Sequence, residues 1–295
     1  MFETIEREIN QLSKENLALL KTMKPGTTRI GADAFYTCTK EYFVFIRKYI
    51  IPILMSQLKL KDKEKILLGL YLRMVSRLDA VIELNNIKYY ETIASNCRTI
   101  FEILVDSKLL WLNMINDDTN KYFQYVDAKK YEYAKKYING VDPKTATIIN
   151  EDFISEAKKY VANKNESADY KILYKRLWGM ASLPDTWTGK KIFGNADLVG
   201  MAEDYRYLYA RLCWDTHSGL TGVLAFDKNY YIASFGISHL YIEKYISLIT
   251  DIIIECFHLS SVIPKLKILL QELSQIPGAV ILKSQLDQLK KSTNI

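Results

Sequence analysis

Arg211 and His217 bracket the segment Arg211-Leu-Cys-Trp-Asp-Thr-His217, which runs on into Ser218-Gly219. The segment closes a tyrosine-rich stretch, Tyr205-Arg-Tyr-Leu-Tyr209, and holds one of only three histidines in the chain. An imidazole titrates close to neutrality and is the default side chain for moving a proton. A guanidinium offers a planar fork of donors that matches a phosphate. Proton transfer beside a bound phosphate is the chemistry these two residues would do together. Six residues of straight α-helix turn through about 600°, which sets Arg211 and His217 about 120° apart. They share a face only if the helix ends or distorts between them, and Thr216-Ser218-Gly219 is a plausible ending. Asp215 stands one turn beyond Arg211, so an internal Arg211–Asp215 pair with His217 at a helix C-terminus is the structural alternative.

A second constellation is Arg98, Glu102 and Asp106. Their i, i+4, i+8 spacing stacks three charges on one face of a helix that is otherwise apolar, with Ile100, Phe101, Ile103, Leu104, Leu109, Leu110 and Trp111. Buried charges in such a setting are paired or functional. The structural reading is an Arg98–Glu102 pair bracing the bundle; the functional one is a polar wall facing the His217 helix. Arg73 and Arg77, also at i, i+4, pair with local carboxylates or extend that wall. Trp187, in Thr186-Trp-Thr-Gly189, is a loop tryptophan that packs as a lid or serves as a stacking platform for a base. His239 and His258 read as incidental, and His258, beside Phe257 and Leu259, as a satisfied core histidine.

Other chemistries lack their motifs. The sequence has no HExxH, no Walker glycine loop, no GxGxxG and no GxSxG elbow. Gly219-Leu-Thr-Gly222 is too short to cradle a nucleotide. Cys38, Cys97, Cys213 and Cys256 are widely spaced and form no CxxC pair, which points to reduced thiols, neither a zinc site nor a disulfide framework. No metal and no cofactor is expected.

At 49% hydrophobic the chain of 295 residues has apolar matter enough for a sizeable core, which excludes global disorder. Twelve glycines and six prolines are few for this length, and favour long helices. The net charge of +6 permits an RNA or phosphate partner without demanding one. The charged N-terminus has no signal-peptide apolar run. The two greasiest stretches, 42–55 and 245–270, are each cut by charges and read as core helices rather than membrane spans. A cytoplasmic protein with no membrane partner is the expectation.

The elements that must position these residues are helices. The periodicity predicts an amphipathic helix over 2–22, a long apolar one over 32–58 that Pro52 kinks, and a third over 62–84 with Asp62 as N-cap. A helix over 88–115 follows, stopped by Asn116-Asp-Asp118, and another over 119–138, with Asn139-Gly140 as its C-terminal signal. Two shorter helices flank Asn163–Ser167, the span 182–194 is the clearest loop, and helices run over 196–217, 236–260 and 279–292. Residues 230–235 read as a short extended piece. The expectation is a single all-α domain over 1–295, a multi-helix bundle. It comprises N-terminal helices over 1–60, a core bundle over 61–260 with an insertion at 140–180, and C-terminal helices over 261–295.

Taken in order, Asp79-Ala-Val-Ile-Glu-Leu84, Arg98-Thr-Ile-Phe-Glu102, Trp187-Thr-Gly189, Tyr205–Tyr209 and Trp-Asp-Thr-His217-Ser218 resemble DUF5677, a family of bacterial helical proteins, over roughly residues 65–260. That label brings no activity with it. Arg211 and His217, with five residues between them, also resemble the arginine–histidine spacing of HEPN ribonucleases, although Leu212 stands where many of those proteins carry a polar residue. The second resemblance implies a HEPN-like core with additional helices, a homodimer whose two copies form one RNA-cleaving site, and service as a toxin or anti-phage effector under a regulatory partner protein. Under it Arg211 and His217 are catalytic and need no metal, while Arg98, Glu102, Asp106 and Asp215 form the supporting polar wall. Trp187, Tyr205 and Tyr209 then contact substrate. The competing reading is a non-catalytic helical module that binds a small ligand, nucleic acid or a protein. A third, a metal-dependent hydrolase, needs Glu102, Asp106, Asp215 and His217 to converge.

Overall fold

The computed structural model describes residues 39–40, 42–57, 59–140, 155, 158–159, 161–162, 167–216 and 228–262, and the regular elements among them are all helices. The predicted helices 2–22 and 279–292 lie outside the described residues, as does most of the span 141–166. The chain divides into two compact units, one formed by 1–112 and 199–295 and the other by 113–198. The insertion expected at 140–180 falls within the second, which begins and ends well outside it.

The first unit is built around three long helices, α2 (Asp62–Glu83), α3 (Tyr90–Trp111) and α9 (Lys228–Cys256). Helix α1 (Ile51–Met55) is entered through a π-helical turn, Ile46–Ile50, closed by the Ile51 N–H on the Ile46 carbonyl. Pro52 has no N–H to give, and its ring would strike the carbonyl four residues back in a regular helix. The widened turn stands where the sequence suggested a kink. Helix α2 (Asp62–Glu83) starts one residue earlier than expected: the N-cap is Lys61, whose N–H donates to Glu64 Oε2 at 2.8 Å, while Asp62 occupies the first turn and pairs with Lys65 at 2.7 Å. Ile66, Leu67, Leu70, Tyr71, Met74, Leu78 and Val81 recur at three- and four-residue spacing and are all buried.

Helix α3 (Tyr90–Trp111) is the centre of this unit and packs against α2 and α9. It ends four residues before the predicted stop. Leu112 caps it, and Asn113 follows with φ 53, the left-handed conformation that terminates helices and that asparagine tolerates. Asp118, expected to end this helix, begins the next one. Phe101 is fully buried, with ring centroids 5.4 Å from Tyr245 and 5.2 Å from Tyr209.

Where one helix over 196–217 was expected, the chain breaks at Val199-Gly200-Met201. Gly200 takes φ +71, a conformation that L side chains avoid. The three-residue α7 (Ala202–Asp204), a second π-helical turn (Tyr205–Tyr209) and α8 (Ala210–Thr216) follow in one continuous run. Helix α9 (Lys228–Cys256) starts eight residues earlier than predicted, so 230–235 is helical and not extended. The aromatic and β-branched residues there favour strands only weakly, and the helix they sit in overrides them. Phe257 and His258 interrupt the run before α10 (Leu259–Val262).

The second unit holds α4 (Asp118–Gly140), α5 (Ser167–Trp178) and α6 (Ile192–Leu198). Tyrosines make its core. Tyr131 stacks on Tyr170 at 4.3 Å, and the hydroxyls of Tyr170 and Tyr174 donate to Asp127 and Glu132, each at 3.0 Å. Trp178 Nε1 donates to the Trp187 carbonyl at 2.6 Å.

Candidate functional site

The charges of α3 meet the π-helical turn. Arg98 Nε donates to Glu102 Oε1 at 3.3 Å and to the Tyr209 hydroxyl at 3.1 Å, and that hydroxyl donates to Glu102 Oε1 at 2.6 Å. Three residues thus close a ring of hydrogen bonds across the seam between α3 and the run leading into α8. The Arg98 guanidinium lies 5.3 Å from the Tyr209 ring centroid, close enough for a cation–π contribution. Tyr205 stacks on the same ring at 5.0 Å. The seam is half open: the Arg98 and Glu102 side chains keep 29% and 38% of their exposure, while Tyr209 is buried.

Local sequence explains the convergence. Tyr209 and Cys213 are one turn apart, so both look toward α3. The π turn, closed by the Ala210 N–H on the Tyr205 carbonyl, inserts the extra residue that re-aims the face. Burial, and then the hydrogen bond and charge of Glu102, push the Tyr209 hydroxyl well above its ordinary pKa. It is a neutral donor at any ordinary pH. Burial works against the Arg98 charge, but Tyr209, Cys213 and Glu102 outweigh it and its pKa is raised. The Cys213 thiol is raised chiefly by burial, with Arg98 pulling the other way. The seam holds one permanent cation, one carboxylate and a proton-bearing phenol. That set fixes the orientation of charge across the seam.

Of the residues singled out from sequence, Arg98 and Glu102 are brought together, and Tyr209 joins them with its hydroxyl already engaged. Asp106, half-buried, lies two turns along α3 from Arg98. Arg211 is half-buried on α8. Asp215 lies on the last turn of α8 with its side chain outside the described residues, and His217 lies outside them altogether. Trp187 is buried in the second unit, its ring 5.6 Å from Tyr122. Arg73 and Arg77 are exposed, and Asp79 pairs with Arg47 at 3.6 Å. Among the described residues no group of three His, Cys, Asp or Glu is placed to hold a metal, and no helix is long and apolar enough to cross a membrane.

Two buried ionisable groups lie on α9, away from the residues that the sequence singled out. His239, read as incidental, is fully buried on α9 and its pKa is pushed down to about 4 by burial, whereas His258, expected in the core, is exposed. Glu243, one turn after His239, is buried and its carboxyl is pushed up to about 9 by burial. The i, i+4 spacing of His239 and Glu243 within an apolar helix was the available signal.

The molecule is thus an all-helical protein with a polar seam set in its larger bundle. Residues 64–229, more than half of the chain, match the family model DUF5677, described as a family of unknown function. The chain belongs to that family. No curated protein and no solved structure matches it.

Proposed function

We propose that this protein is a metal-independent endoribonuclease, a cytoplasmic effector of the toxin or anti-phage kind that works as a homodimer under a regulatory partner protein. Arg211 binds the scissile phosphate. His217 takes the proton of the ribose 2′-hydroxyl or returns one to the leaving 5′-oxygen, as that oxygen's bond to phosphorus breaks and the cyclic phosphate forms. The observation that carries this reading is the Arg98–Glu102–Tyr209 ring. It fastens the chain to α3 two residues before Arg211, which is how a rigid scaffold supports a site at the end of a short helix. The net charge of +6 suits an RNA substrate.

The test is cleavage of total RNA, tRNA and a single-stranded oligomer by purified protein in EDTA, beside Arg211→Ala and His217→Ala. Cleavage that survives EDTA and vanishes in both variants supports the reading. Cleavage unchanged in both sinks it.

The closed hydrogen bonding of the seam favours a second reading, a non-catalytic module that binds a ligand, nucleic acid or a protein. RNA binding without cleavage, by fluorescence anisotropy on the same samples, distinguishes it.

A further inference from the structure

The outer face of α4 carries a patch that is complementary to itself. Phe123, Val126, Lys130, Tyr133 and Ala134 recur at three- and four-residue spacing and line one side of the helix. Tyr133 is 63% exposed and Phe123 42%, unusual for large aromatic side chains on a helix whose other face is packed. On this face lies a groove of about 440 Å³ walled by Phe123, Gln124, Val126, Asp127 and Lys130. Its two charges are of opposite sign and stand three residues apart, about 4.5 Å along the axis.

We propose that two copies of this chain pair through α4, antiparallel, about a two-fold axis passing between Ala128 and Lys129. That operation sets Asp127 opposite the partner's Lys130, and Lys130 opposite the partner's Asp127. It also sets Phe123 against the partner's Ala134, a large side chain against a small one, twice. Tyr133 comes to the flank of the interface near the partner's Val126. Each contact recurs by symmetry, as an isologous interface requires. Pairing the same faces in parallel would instead oppose lysine to lysine, aspartate to aspartate and phenylalanine to phenylalanine, and like charges disfavour it.

The patch is also held ready. The Tyr170 hydroxyl donates to Asp127 Oδ2 at 3.0 Å and fixes that carboxylate at the groove. Lys129 Nζ lies 5.9 Å from the Tyr133 ring centroid and 5.4 Å from that of Tyr125, bracing the exposed ring. A fixed carboxylate in the groove repels a phosphate backbone, which makes another protein surface the better occupant than nucleic acid. The interface includes none of Arg98, Arg211 or His217; it shares the homodimer with the ribonuclease reading and does not rest on RNA cleavage. One helix a side is a small interface, at the low end for specific association.

The experiment is sedimentation equilibrium of the full chain up to roughly 100 μM, where an interface of this size still associates. Wild type is expected to dimerise. Lys130→Asp and Asp127→Lys alone place like charges face to face and should each weaken association at least tenfold. Their equimolar mixture regains both opposite-charge pairs and should dimerise as wild type does. Circular dichroism melts verify that each variant is folded, because Asp127→Lys also loses the Tyr170 bond. A register test needs neither charge variant: Phe123→Cys mixed with Ala134→Cys should give an interchain disulfide on mild oxidation, above the background from the native thiols. A wild type that stays monomeric, charge variants that associate like wild type, or a dimer without that cross-link overturns the proposal. So does a Lys130→Asp protein that dimerises normally but loses RNA binding, which would assign the face to nucleic acid.

Discussion

The Tyr209 hydroxyl donates to Glu102 at 2.6 Å while accepting from Arg98 at 3.1 Å, so one phenol bridges both members of an ion pair on a neighbouring helix. Phenylalanine keeps the ring and removes the bridge. Tyr209→Phe should cost roughly 1–2 kcal/mol, toward the low end for hydrogen bonds to charged groups because Arg98 and Glu102 are partly exposed. Urea unfolding measures it, and a double-mutant cycle with Glu102→Gln should return a coupling of about 1 kcal/mol. Additive single effects would mean that the ring of bonds is not energetically linked.

Glu243 makes stability fall with rising pH. Its carboxyl goes from a usual 4.5 to about 9 in the folded protein, so between those values the native state holds a proton that the unfolded chain has released. That contribution is complete below 4.5 and lost as pH climbs through 9. His239 acts oppositely: folded near 4 against a usual 6.5, it costs stability as pH falls through that window. Glu243→Gln should therefore be more stable than wild type by roughly 1–3 kcal/mol at pH 8, with little difference at pH 4.5. Melts at the two pH values decide it; equal gains at both would contradict the burial argument.

Gly189 has φ +77, and a Cβ placed there would stand 2.9 Å from Trp178 Cδ1. Gly189→Ala combines backbone strain with a displaced indole, and should destabilise the second unit by about 2 kcal/mol or more. Tryptophan fluorescence melts report it. The indole donates to the Trp187 carbonyl, so the emission should also change.

Cys97 is fully buried, its thiol pushed up by burial and 3.7 Å from the Ser238 carbonyl. It should resist a thiol reagent at pH 8 in the native protein and react only as the protein unfolds. Burial pushes Cys256 up to about 11, so it should react slowly but measurably. Mass spectrometry after brief labelling gives the order, and early modification of Cys97 would contradict the packing of α3 on α9.

The helices that carry the core were legible because their burial is periodic. Leu67, Leu70, Tyr71, Met74 and Leu78 fix the inner face of α2 from spacing alone, and the apolar density from Ile93 to Leu110 marks α3 as central. Boundaries set by a single backbone conformation were not legible. Asn113 ends α3 through a positive φ that asparagine permits without dictating, and Gly200 breaks a helix that periodicity carries straight through. The π turns were hidden for a related reason: Tyr205–Tyr209 reads as ordinary amphipathic helix, and the extra residue shows only in where Tyr209 points. The Arg98–Glu102 pair could be read from i, i+4 spacing, but its third member is 107 positions away from Glu102, a contact that spacing cannot encode. For the histidines, local hydrophobicity misled. His258 has apolar neighbours but sits at φ 51 in a break between helices, whereas His239 is fully buried.

Lys108, one turn before the end of α3, reaches Val199 with its ammonium, 2.9 Å from the carbonyl. Those two residues stand at the points where the chain leaves the larger bundle and returns to it. The doorway is stitched shut from within that bundle, so the 86 residues from Asn113 to Leu198 form a cassette hung on a closed loop. The frame that holds Arg98 and Tyr209 is therefore closed at this point by a bond of its own.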